Sequence, residues 1–72
     1  TDLLGGSPYN ATARSFYELG SEVKAECITG VNLPMLLEAA SGTSYMNLEE
    51  LKNACLTSGP EGIVNLKDKI QI

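Results

Sequence analysis

Asp2, Gly5, Gly6 and Ser7 stand together in the opening stretch TDLLGGSPYNATARSF: a carboxylate, then two glycines and a hydroxyl, directly before a helix-start pattern. The first N–H groups of a helix lack acceptors and carry partial positive charge, so a phosphate or carboxylate is well placed there. Glycines allow the backbone amides to approach such an anion closely, and Ser7 adds a hydroxyl. By itself, Gly-Gly-Ser-Pro before a helix is more often a turn and a cap than an anion site. The stretch is neither a Walker loop, because no lysine follows the glycines, nor a dinucleotide fingerprint, because the third glycine is absent.

The rest of the composition narrows the chemistry. The chain has 72 residues and no histidine, so it offers no imidazole base, phosphoryl acceptor or metal ligand. Cys27 and Cys55 lie far apart, too few and too distant for a closed zinc site, and no metal or cofactor is expected. Both read as reduced thiols of a cytoplasmic protein, most simply buried without a chemical role. A net charge of −4, with five scattered basic residues, Arg14, Lys24, Lys52, Lys67 and Lys69, argues against a nucleic-acid groove or an anionic membrane surface. No apolar run approaches the roughly 20 residues that span a bilayer, and the opening residues lack the pattern of a secretory signal.

The elements that must position these residues alternate along the chain. SPYNATARSFYELG predicts a helix with Ser7 as N-cap, Pro8 at the first helical position, Gly20 as the stop, and an apolar face through Tyr9, Ala13, Phe16 and Tyr17. EVKAECITG alternates through Val23, Ala25 and Cys27 to Ile28 and halts at Gly30, which predicts a short strand. NLPMLLEAASG predicts a helix capped by Asn32 and ended by Gly42. NLEELKNACLTSG predicts a third helix, with Asn47 and Glu50 forming a near capping box and Leu48, Leu51 and Cys55 on one face. SGPEG reads as a breaker, and IVNL, from Ile63 to Leu66, as a final strand. Helix, strand, helix, helix, strand is an α/β fragment that cannot close a sheet alone. The loop before Ser7 has the form of one at the carboxyl end of a strand.

The pair GGSPYNATAR and ITGVNLPMLLEA, followed by a helix ending in SGPEGI, resembles the IIA component of the mannose family of the bacterial phosphoenolpyruvate-dependent sugar phosphotransferase system. The resemblance runs over residues 1–72, which correspond to the C-terminal half of a single IIA domain. It implies a cytoplasmic phosphoryl carrier that takes phosphate from phospho-HPr on a histidine outside this chain and passes it to IIB during sugar uptake. It also implies a mostly parallel sheet with helices on both faces, and a final antiparallel strand, here IVNL, exchanged in a homodimer. The N-terminal half of the domain would be a required partner, and no nucleic acid or membrane insertion is expected.

On that mapping Asp2 orients the missing histidine by accepting its ring N–H, the other reading being a solvated acid. Gly5, Gly6 and Ser7 hold the transferring phosphoryl group. Asn32, Pro34 and Met35 belong to the second motif, either on the pocket rim or as helix cap and packing. Leu3 and Leu4 stand where some members carry Thr-Trp, a departure that bears on partner or sugar preference. Two other roles stay open for such a domain: a regulatory module of a transcriptional regulator, and the phosphocarrier subunit of dihydroxyacetone kinase.

Overall fold

The computed structural model describes residues 1–70. Four α-helices follow one another, α1 (Ser7–Leu19), α2 (Leu33–Gly42), α3 (Leu48–Glu61) and α4 (Leu66–Ile70), with a single 3-10 turn over Gly20–Glu22 after α1. Among the described residues there is no strand and no sheet, which overturns the expected α/β architecture, its parallel sheet and its exchanged final strand.

The reasons differ for the two expected strands. Val23 is extended at φ −87° and ψ 123°, and no regular element forms from there to Gly30. Alternation prepares such a segment for a ladder, but the ladder itself needs a neighbouring backbone about 4.8 Å away. IVNL instead runs into a helix start. Asn65 opens α4: its side-chain oxygen accepts from the Lys67 N–H at 3.3 Å, and its carbonyl accepts from Asp68 and Lys69 at 3.1 and 3.3 Å. Asparagine is a favoured cap and a poor strand residue.

Two boundaries move as well. The N-cap of α1 is Gly6, with no side-chain cap, so Ser7 is the first helical residue and not the cap. The supposed breaker SGPEG lies largely inside α3, which carries Pro60 in its last turn and ends at Glu61. A residue before proline normally avoids the helical region because its Cβ meets the proline ring. Gly59 has no Cβ, so the helix continues through Pro60 to Glu61.

Helices α2 and α3 pack together and hold the core, where Met35 is 7% and Cys55 4% exposed, beside the buried Gly42 and Gly59. Burial of a side chain such as Met35 contributes about 1.5–3 kcal/mol. The start of each helix is fixed by an asparagine. Asn32 Oδ1 accepts from the Met35 N–H at 3.2 Å. Asn47 and Glu50 form a complete capping box, with bonds of 2.8 and 3.0 Å.

Much apolar surface stays uncovered. Leu4, Leu33 and Ile63 are 68%, 65% and 76% exposed, and Tyr17 is 91% exposed. The radius of gyration is 14.9 Å, against about 11 Å for a compact domain of this length. The extents of 52 × 30 × 14 Å describe a slab little thicker than one helix with its side chains, about 10–12 Å. No described helix is long and apolar enough to cross a membrane.

Candidate functional site

Residues Leu3 to Gly6 form a β-turn closed by the Gly6 N–H donating to the Leu3 carbonyl at 3.0 Å. Gly5 sits at φ +83°, the left-handed value that the third position of a type II turn demands and that only glycine adopts without strain. The turn feeds directly into α1, whose first hydrogen bond runs from the Asn10 N–H to the Gly6 carbonyl at 2.9 Å. The Asn10 side chain also donates to the Gly5 carbonyl at 3.3 Å. Pro8 has no N–H, so the amides of Ser7 and Tyr9 are what the first turn of α1 directs outward. The Gly6 amide is already used inside the turn.

Asp2 and Ser7 are both exposed. The side chain of Ser7 is free of capping duty. The backbone beneath Asp2 is anchored: its carbonyl accepts from the Gly30 N–H at 3.0 Å, and the carbonyl of Thr1 accepts from Val31 at 3.2 Å. The Thr1 nitrogen donates to the Ile28 carbonyl at 2.8 Å. Three bonds therefore place the loop that enters α1 beside the loop that enters α2.

The second motif is positioned from the other side. Asn32 Nδ2 donates to the Gly59 carbonyl at 2.9 Å while Oδ1 caps α2. Pro34 lies against Gly62, and Met35 is buried against Gly59, with its carbonyl 3.9 Å from Cys55 Sγ. Asp2, Gly5, Gly6 and Ser7 thus form one contiguous loop, and Asn32, Pro34 and Met35 form a packed joint with the end of α3. Among the described residues, Gly30 and Val31 join the two groups. Sequence reasoning passed over Gly30, Val31 and Asn10 as parts of the site. Gly30 showed only as a stop signal, and nothing in the local pattern of Asn10 marks its reach back to Gly5. Among the described residues no cluster of cysteines and carboxylates could hold a metal ion.

Comparison with known proteins agrees with the resemblance in the motifs. Residues 1–56 match the family EIIA-man, described as the PTS system fructose IIA component. The chain is 42% identical over 52 residues to the PTS system fructose-specific EIIA component of Bacillus subtilis (strain 168), covering 72% of this chain and 34% of that protein. It is 37% identical over 71 residues to the PTS system sorbose-specific EIIA component of Lacticaseibacillus casei, covering 97% and 49%. It is 36% identical over 69 residues to the PTS system mannose-specific EIIAB component of Escherichia coli (strain K12), covering 94% and 20%. The chain spans half or less of the length of these relatives, and no solved structure matches it. With both loops of the site inside the matched residues, the chain belongs to the EIIA-man family, the IIA components of the sugar phosphotransferase system.

Proposed function

We propose that these residues are the C-terminal half of a IIA domain that relays a phosphoryl group during sugar uptake. The histidine that carries the group comes from outside this chain, which has none. The alignment with the sorbose-specific relative supports the half-domain reading, since nearly the whole chain covers 49% of that protein. One observation carries the proposal: the two loops that fall within the family match lie side by side, through the Gly30 bond to Asp2.

In this reading the Asp2 carboxylate accepts the N–H of one ring nitrogen and fixes the tautomer, so that the other nitrogen attacks phosphorus. The N–P bond of phospho-HPr breaks as the new N–P bond forms, and the same exchange in reverse order passes the group to IIB. The free amides at the start of α1 and the Ser7 hydroxyl hold the equatorial oxygens, whose charge needs positioning more than covalent help. The Leu3–Gly6 turn serves by aiming those groups. Work of this kind places the domain in the cytoplasm, with HPr and IIB docking over the exposed Asp2 and Ser7. The relatives are named for fructose, sorbose and mannose, so the sugar is left to the IIB partner and the transporter.

The test is incubation of the protein carrying this sequence with labelled phospho-HPr. Label that is stable in alkali, labile in acid and located on a histidine outside residues 1–72 supports the relay. No transfer, or label on Ser7, overturns it.

A further inference from the structure

Asn32 joins the start of α2 to the end of α3 directly after the residues that hold the Asp2 loop. Its Nδ2 donates to the Gly59 carbonyl at 2.9 Å and its Oδ1 accepts from Met35 at 3.2 Å. It follows directly on Gly30 and Val31, whose amides donate to the carbonyls of Asp2 and Thr1 at 3.0 and 3.2 Å. The side chain is partly buried, and its two bonds leave in different directions, one along α2 and one to the last turn of α3. A cap alone would need only the oxygen. An aspartate at this position has no donor for that bond, and a serine hydroxyl, shorter by one bond, loses the reach to Gly59.

We infer that Asn32 is a positioning residue for the phosphoryl site, acting by fastening residues 30–31 to the end of α3 so that they hold the Asp2 backbone in one place. It touches neither Asp2 nor the transferring group. Its effect passes through the two backbone bonds, and loss of the Gly59 tie lets residues 30–31 shift and carry Asp2 out of register with the ring it orients. The transfer consequence rests on the relay reading above; the structural coupling does not.

Asn32→Asp separates the two duties, since a carboxylate caps a helix as well as an amide does but cannot donate to Gly59. Asn32→Ser is the second variant, keeping a cap without bringing a carboxylate against a carbonyl. Amide hydrogen exchange, read residue by residue in the protein carrying this sequence, is measured alongside transfer from labelled phospho-HPr. In both variants the Gly30 and Val31 amides should exchange roughly tenfold faster, the worth of about one hydrogen bond, while the Met35 amide stays protected. The maximal transfer rate should fall by a similar factor with no change in the phospho-HPr concentration that gives half of it, because docking is untouched. Unchanged exchange at Gly30 and Val31 overturns the inference even in a protein that accepts no phosphoryl group. Faster exchange with an unchanged transfer rate overturns it as well. If the wild-type protein takes no label, the relay reading fails and the exchange result still decides whether Asn32 holds the loop.

Discussion

The ring of Pro34 lies directly on Gly62: a Cβ added at Gly62 would stand 2.9 Å from Pro34 Cβ and overlap Pro34 Cγ. The first turn of α2 and the end of α3 meet there with hydrogen as the only side chain between them. Gly62 has ordinary angles, φ −78° and ψ −5°, so any cost of a larger residue is steric and not conformational. A proline ring cannot rotate aside as a long side chain can.

Gly62→Ala is therefore expected to destabilise by about 1–3 kcal/mol, the usual cost of overpacking. Adding Pro34→Ala should recover part of that loss, because the two residues share one contact and their effects cannot be additive. Urea titration of the two single variants and the double variant, each in the protein that also carries the complementary half, checks this; strict additivity would mean that the contact does not govern the joint.

At α3, Asn47→Ala should cost about 1 kcal/mol, because it removes the acceptor for the Glu50 amide. Glu50→Gln should stay within about 0.5 kcal/mol of wild type, since an amide oxygen can still accept from the Asn47 N–H. Thermal unfolding of the two variants distinguishes a working capping box from two incidental contacts.

Asp2 and Ser7 separate chemistry from stability. Ser7 does not cap α1, so Ser7→Ala should leave stability within about 0.5 kcal/mol. Any fall in transfer would then report on the hydroxyl itself. Asp2→Asn should also fold normally, because the Asp2 bond to Gly30 is made by the backbone carbonyl. Its transfer from phospho-HPr should slow on the order of 10²-fold through loss of charge and tautomer control. Wild-type transfer by Asp2→Asn would remove Asp2 from the site.

The exposed leucines and the thin outline lead to a fourth expectation. Among the described residues the buried apolar side chains are Met35 and Cys55, both in the α2–α3 seam, so residues 1–72 expressed alone should self-associate or unfold without a cooperative transition. Adding the complementary half of the domain should restore one. Sedimentation and thermal circular dichroism give the answer, and a sharp transition from a lone monomer would show that the seam suffices.

The sequence was legible wherever the signal is local. The caps Asn32 and Asn47, the partner Glu50 and the stop at Gly20 all stand where their chemistry predicts, because each acts within one helical turn. The turn around Gly5 and Gly6 was also visible, although the cap fell to Gly6 and not Ser7. The failures at Val23 to Ile28 and at Ile63 to Leu66 have another origin. A strand is completed by a backbone remote in sequence, and alternation within one segment carries no information about that neighbour. The site shows the same division: Ser7 and the glycines announce themselves, whereas the part played by Gly30 and Val31 exists only once Thr1 and Asp2 lie beside them.

Those bonds between residues 1–2 and 28–31 also bear on mechanics. Among the described residues α1 touches no helical element but the 3-10 turn that follows it, while α2 and α3 form a pair. The extended segment between them runs alongside that pair: Val23 to Glu26 line one cavity with Asn47 and Leu48, and Ile28 and Val31 line another with Met35 and Leu51. Asn32 stands where that segment enters α2. Force applied to the exposed face of α1, as by a docking protein, would therefore reach α2 and α3 along this strap as well as through the Asn32 bonds.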